Sequence, residues 1–80
     1  MFPCPCCGFL TIGEEPPGTF EICPVCFWED DNIQFEDPNR VGGANGVSLN
    51  QARQNFTVLG AVSKEFVNQV REPSPVEIPS

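Results

Sequence analysis

Histidine and tyrosine are absent from this sequence, and basic residues are few. The chain has no His, no Tyr and 4 Lys plus Arg against 11 Asp plus Glu, for a formal net charge of −7 at pH 7. Without histidine the usual Ser/His and Cys/His catalytic pairs cannot form, so the sequence favours no enzymatic reaction. Nucleic-acid binding depends on basic side chains that neutralise phosphates, which disfavours a nucleic-acid-binding zinc ribbon.

Long hydrophobic runs are also missing. No stretch approaches the roughly 18 apolar residues of a transmembrane helix, and no secretory signal precedes the first cysteines. We therefore expect a cytoplasmic protein that has no membrane partner. A domain of this length buries only about 60 to 65% of the surface that its unfolded chain exposes, so a disulfide or a metal ion is expected to supplement the hydrophobic core.

Cysteine is abundant, and it occurs in two clusters. The segments CPCC and CPVC contain all 5 cysteines. When Cys4 is paired with Cys7 and Cys23 with Cys26, the pattern becomes C-x2-C-x15-C-x2-C, which is typical of a four-cysteine zinc site. A two-residue gap lets both sulfurs of a pair turn toward one ion. The odd number of cysteines and the expected reducing compartment disfavour disulfides.

The predicted site holds one structural Zn²⁺, with iron as the alternative metal. Four thiolates fill the tetrahedral coordination of zinc and leave no position for a reactive water. Cys6 does not fit this scheme, because a Cys4/Cys6 pair leaves too short a gap and the side chains of adjacent Cys6 and Cys7 diverge. We expect Cys6 to be a thiol without an assigned task. A redox role or an exchange with a neighbouring ligand is the alternative for it.

Two stretches carry a family resemblance, CPCCGFLTIGEEPPGTFEICPVCFWEDD and GGANGVSLNQARQNFTVLGA. Together they resemble the bacterial cysteine-rich CPCC family, whose members are presumed to bind metal through their cysteines. The paired cysteines, with GF after the first pair and PGTFE before the second, also resemble rubredoxin, which holds one iron for electron transfer. That resemblance implies Cys4, Cys7, Cys23 and Cys26 as ligands and an iron or thiol redox protein as the alternative function. Rubredoxin has a glycine where this chain has Phe27.

Local patterns predict a few secondary-structure elements. The β-branched and aromatic residues at 9–13 and 19–22 predict a hairpin that brings the two cysteine clusters together. A loop is predicted to follow, with a possible short strand at Ile33–Phe35. Ser48 can cap the start of a helix, and Gly60 can adopt the left-handed conformation that ends it.

These elements predict a small α+β metal-bound domain. Rubredoxin-like or zinc-ribbon cysteine loops lie on a short antiparallel sheet, and a C-terminal helix packs against them. A single domain is expected over residues 1–71, with the cysteine loops in 1–31, an acidic and glycine-rich loop in 32–47 and a helical part in 48–71. The proline-rich tail, 72–80, is expected to be extended.

An aromatic and acidic segment follows the second cysteine cluster. It consists of Phe27, Trp28, Glu29, Asp30 and Asp31. We expect Trp28 to lie half exposed at the edge of the domain, where an aromatic anchor beside negative charge suits a basic protein surface. The sequence therefore predicts a zinc-stabilised binding module whose partner is another protein.

Overall fold

A computed structural model of the protein describes residues 1–80 and confirms a small α+β fold. The elements are the strands β1 (Phe2–Pro3) and β2 (Leu10–Ile12), the helices α1 (Asn32–Glu36) and α2 (Leu49–Leu59), and two single-turn 3₁₀ helices at Lys64–Phe66 and Pro75–Glu77. Neither α-helix has the length and apolar character needed to cross a membrane.

The strands pair across the cysteine clusters. β1 and β2 form a two-stranded antiparallel sheet, so the first cluster lies in the turn between them. Ile22 forms an antiparallel bridge with Glu29 on either side of the second cluster. The predicted hairpin between residues 9–13 and 19–22 is therefore wrong. The chain reverses direction within each cysteine cluster. The segment before a cluster therefore pairs with the segment that follows the same cluster.

Helix α1 occupies the segment for which the sequence predicted a loop and a possible strand. The Asp31 side chain begins the helix, because its Oδ1 accepts hydrogen bonds from the backbone N–H groups of Ile33 (2.8 Å) and Gln34 (3.3 Å). The strand prediction at Ile33–Phe35 is wrong. Its alternation of apolar and polar residues is inverted in the structure, where the polar Gln34 is buried and both flanking apolar residues are exposed.

The buried Gln34 side chain organises the glycine-rich loop that follows α1. Its Nε2 donates to three backbone carbonyls within residues 40–47, and its Oε1 accepts from the backbone and side-chain nitrogens of Asn45. Gly43 adopts φ +152°, and a Cβ at this residue would lie 2.8 Å from Asp31 Oδ2. The loop is thus a folded element that closes on α1.

Helix α2 confirms both predicted helix ends. The hydroxyl of Ser48 accepts a hydrogen bond from the Gln51 N–H (3.1 Å), and Gly60 is left-handed with φ +79°. Leu49 and Ala52 are fully buried against the cysteine loops. The core formed in this way consists of Cys4, Ile12, Cys23, Val25, Cys26, Trp28, Leu49, Ala52 and Val62.

The C-terminal half holds both cysteine loops through their backbone carbonyls. The bonds run from Arg53 Nε to Pro5 O (3.0 Å), from Val62 N to Cys26 O (2.9 Å) and from Arg71 N to Pro24 O (3.1 Å). These contacts place α2 and the segment after it across the side of both loops. The position of the cysteines therefore depends on residues far away in the sequence.

The C-terminal tail bends back and is not fully extended as predicted. A 3₁₀ turn at Pro75–Glu77 brings the Glu77 carboxylate to Arg71, with both nitrogen–oxygen distances at 2.8 Å. Glu77 also accepts a hydrogen bond from the Ser74 N–H. The guanidinium of Arg71 is the largest cause that lowers the pKa of Glu77 to about 2. The proline-rich tail is thus joined to the domain by an ion pair at its surface.

Candidate metal centre

The four cysteines that were paired by their spacing come together in space. Their sulfurs all lie within 4.8 Å of one another, with Sγ–Sγ distances of 3.6 Å for Cys4 and Cys26 and 3.7 Å for Cys7 and Cys23. These distances exclude a disulfide, whose S–S bond is about 2.0 Å long. Four sulfurs bonded to one zinc ion at about 2.3 Å and at tetrahedral angles would lie about 3.8 Å apart. The arrangement could therefore hold a metal ion.

The two cysteine loops, residues 4–9 and 23–28, share one backbone geometry. In each loop two hydrogen bonds of the same kind close the turn at equivalent positions. They run from Cys4 N to Phe9 O (2.9 Å) and from Gly8 N to Cys4 O (2.9 Å) in the first loop, and from Cys23 N to Trp28 O (2.9 Å) and from Phe27 N to Cys23 O (2.8 Å) in the second. The short C-x2-C segments thus fold alike, and each presents its two sulfurs on the same side.

Phe27 stands at a position that favours glycine. Its φ of +74° is close to the +82° of Gly8 at the equivalent position of the first loop. A left-handed conformation costs a residue with a side chain about 1 to 3 kcal/mol. The Phe27 ring stacks on Phe66, with ring centroids 4.3 Å apart, and an aromatic pair of this kind contributes about 0.5 to 1.5 kcal/mol beyond the area that it buries. This contact offsets much of the backbone cost.

Burial distinguishes the sulfurs from one another. Cys4, Cys23 and Cys26 are buried, whereas Cys7 is partly exposed. Hydrogen bonds from the side chain of Cys26, and then from those of Cys4 and Cys7, lower the pKa of Cys23. The hydrogen bond to Cys23 is the largest cause that raises the pKa of each of the other three thiols. The sulfurs are thus close enough for the protonation of each to depend on the others.

Two further groups contact the sulfurs, a backbone N–H and a side-chain hydroxyl. The backbone N–H of Trp28 donates to Cys26 Sγ (3.4 Å), and the Thr11 hydroxyl lies 3.0 Å from Cys23 Sγ. Thr11 is the middle residue of β2. Nothing in the sequence pattern of this segment indicates that its side chain contacts a cysteine. Only the packing of β2 against the second loop brings the two side chains together.

Cys6 lies outside the group of four sulfurs. Its side chain is half buried and packs against the edge of the core. Cys6 follows Pro5 in the turn of the first loop, and the neighbouring Cys4 and Cys7 supply the two sulfurs that face the second loop. This placement agrees with the pairing inferred from the spacing.

Trp28 is fully buried, so the prediction that it lies half exposed at the domain edge is wrong. Its relative exposure is 0%, and it belongs to the core cluster that contains three of the four sulfurs. The physical reason is its position in the loop, where its carbonyl closes the turn and its side chain belongs to the core cluster that also contains Leu49 and Ala52 of α2. Trp28 Nε1 has no hydrogen-bond partner. The indole therefore serves as core and cannot act as a surface anchor.

The acids after Trp28 are mostly structural as well, which corrects the predicted contact surface. Asp30 is fully buried, and its Oδ2 accepts from the backbone N–H and the hydroxyl of Thr19. Asp31 is buried as the cap of α1. Of the predicted segment only Phe27 and Glu29 remain partly exposed, where they line a cleft of about 90 Å³. The segment does not form a continuous aromatic and acidic surface.

Comparison with known proteins identifies the family of the chain. The family described as "Cysteine-rich CPCC" has a model that matches residues 2–77, so the chain belongs to this family. No curated protein matches the sequence. The matched region includes both cysteine loops, both helices and the 3₁₀ turn of the tail.

Proposed function

We propose that this member of the cysteine-rich CPCC family is a small binding module whose fold is held together by one structural zinc ion. The observation that carries the proposal is the group of four sulfurs contributed by Cys4, Cys7, Cys23 and Cys26, with separations of 3.6 and 3.7 Å in its two close pairs. Thiolates select zinc or iron over hard cations such as magnesium and calcium. Four protein ligands leave zinc no open position, so the site would be structural.

The size of the core supports a structural role for the metal. Only 16 of the 80 residues are buried, and three cysteines of the proposed site are among them. A structural zinc ion in a small peptide contributes about 10 to 16 kcal/mol of apparent binding free energy at neutral pH, which matches or exceeds the net stability of a typical domain. When bound, the ion would cross-link the two cysteine loops. The thiols of such a site stay reduced only in a reducing compartment. We propose that this compartment is the cytoplasm.

Metal analysis of purified protein tests the proposal. Protein isolated under reducing conditions should be colourless and should contain one zinc ion per chain. The Cys23→Ser variant should lose the ion, because it removes one of the four sulfurs of the proposed site. A red preparation that contains iron and bleaches reversibly on reduction would instead establish the electron-transfer alternative. A folded wild-type protein that takes up neither metal would refute the metal site.

The proposed partner is another protein. The net charge of −7 would become about −9 with four thiolates and one Zn²⁺, which opposes binding to phosphates. The exposed carboxylates suit a basic protein surface. They belong to Glu14, Glu15, Glu36, Asp37, Glu65 and Glu72.

Charge reversal tests the class of partner. A protein that co-purifies from cells without cross-linking should be released by added salt, and the double variant Glu14→Lys/Glu15→Lys should capture less of it while keeping its metal. Glu14 and Glu15 lie in the exposed turn between the two cysteine loops, away from the sulfurs. Tight binding of the wild-type protein to DNA or RNA at physiological salt would contradict a protein partner.

A further inference from the structure

The side chain of Thr11 makes a short contact with the cysteine cluster. Thr11 lies in the centre of β2 and is 6% exposed. Its Oγ1 is 3.0 Å from Cys23 Sγ and 3.5 Å from the carbonyl oxygen of Phe9. It is the only hydroxyl that is bonded to one of the four sulfurs. The contact therefore involves one of the four proposed metal ligands.

The chemistry of the two groups assigns the donor. A cysteine that binds a metal ion is a thiolate and has no proton, so the hydroxyl must donate. The other possible acceptor is already engaged, because Phe9 O accepts from the backbone N–H groups of Cys4 and Thr11, each at 2.9 Å. The Phe9 contact is also at the limit of hydrogen-bond distance. The single hydroxyl proton of Thr11 therefore points to Cys23.

We propose that Thr11 is a positioning residue of the metal site, whose buried hydroxyl donates to the Cys23 thiolate and increases the affinity of the four sulfurs for a thiolate-preferring metal ion. The proposal rests on the metal-binding function proposed above. A hydrogen bond to a buried anion both orients the sulfur and withdraws electron density from it. Cys26 receives its contact from a backbone N–H at 3.4 Å, so the two sulfurs of the second loop have different donors.

Substitution of Thr11 by valine removes the hydroxyl and keeps the shape of the side chain. Wild type and variant would be loaded with Co²⁺, whose thiolate charge-transfer band reports on the sulfurs, and the dissociation constant would be measured by competition with a chelator. We expect Thr11→Val to bind one ion about tenfold more weakly, because a hydrogen bond to a charged group is lost. The charge-transfer band should move to lower energy, because the thiolate electrons are less stabilised.

Two controls separate this role from packing. Thr11→Ser keeps the hydroxyl and should restore both the affinity and the band. Thr57→Val removes an exposed hydroxyl on α2 that is bonded to the Gln54 carbonyl, and it should change neither. Unchanged affinity and band in Thr11→Val would overturn the proposal. The proposal would also be overturned if Thr11→Val bound the ion more weakly, its band did not shift and Thr11→Ser did not restore the affinity. Packing alone would then explain the loss of affinity.

Two further outcomes are distinguishable from these. Failure of the wild-type protein to bind any Co²⁺ would refute the proposed metal site itself. If Thr11→Val did not fold, wild-type protein loaded with cadmium would serve, because nuclear magnetic resonance can detect the Thr11 hydroxyl proton and its coupling to the metal nucleus through Cys23. A slowly exchanging, coupled proton would support the proposal, and a rapidly exchanging, uncoupled one would overturn it.

Discussion

Phe27 occupies in the second cysteine loop the backbone position that Gly8 occupies in the first. Both residues have positive φ, +74° and +82°, and each donates its N–H to the carbonyl of the first cysteine of its loop. The two loops therefore have the same turn although one uses the most permissive residue and the other an aromatic one. The Phe27 ring is held by its stack on Phe66.

This relationship predicts the order of stability of two variants at residue 27. Phe27→Ala should lose the stack and keep the unfavourable φ, whereas Phe27→Gly should lose the stack and gain the favourable φ. We expect Phe27→Ala to be less stable than Phe27→Gly by about 1 kcal/mol in denaturant unfolding of metal-loaded protein. Gly8→Ala is the matched control. No atom lies within 4 Å of a Cβ added at Gly8, so the loss of stability in Gly8→Ala measures the cost of the positive φ alone. A more stable alanine variant at residue 27 would contradict this account.

The placement of Cys6 predicts that it is dispensable for the metal. Cys6→Ser should keep one metal ion per chain and the native circular dichroism spectrum, because its sulfur lies outside the group of four. Cys23→Ser should lose both. Metal stoichiometry of the purified variants is the measurement. Loss of metal in Cys6→Ser together with its retention in Cys4→Ser or Cys7→Ser would reverse the assignment.

Removal of the metal is expected to unfold the cysteine loops and the core around them. Trp28 is the only tryptophan and is fully buried beside three of the sulfurs, so its fluorescence should shift to longer wavelength as a chelator removes the ion. Circular dichroism should show the loss of structure in parallel. Added zinc should restore both signals. Complete metal removal with unchanged spectra would show that the core is stable without the ion.

Asp31 is predicted to stabilise the region of α1 and the glycine-rich loop. Its carboxylate accepts N–H groups from Ala44, Ile33 and Gln34, so Asp31→Ala should destabilise the protein by about 1 to 2 kcal/mol near neutral pH. The exposed Asp37 provides the control, since Asp37→Ala should change stability little. Denaturant unfolding of the metal-loaded proteins would measure both.

The pH dependence of the Asp31 contribution has a definite sign. The backbone N–H of Ala44 is the largest cause that lowers the pKa of Asp31 from its ordinary 3.8. A lowered pKa means that the contribution is fully present above 3.8 and is lost as the pH falls through the lower value in the folded protein. The difference between wild type and Asp31→Ala should therefore be constant between about pH 7 and about pH 5. A difference that shrinks over this interval would contradict the lowered pKa.

Local sequence determined the features that depend on neighbouring residues. The two-residue gaps between cysteines set the turn of each loop, because hydrogen bonds within six residues close it. Ser48 and Gly60 set the ends of α2, since a cap bonds to N–H or C=O groups one turn away. These interactions could be predicted, and so could the grouping of Cys4, Cys7, Cys23 and Cys26 in space.

Only the tertiary structure decided which partner each segment contacts. Trp28 is an aromatic residue beside three acids and resembled a surface anchor, yet it is fully buried in a core cluster that includes residues of α2. Gln34 looked like the polar residue of a strand, but its amide binds the glycine-rich loop at residues 40–47. Thr11 meets Cys23 only because β2 packs against the second cysteine loop. Such contacts join residues that are distant in sequence, and their geometry depends on how the whole chain packs, which periodicity and spacing do not encode.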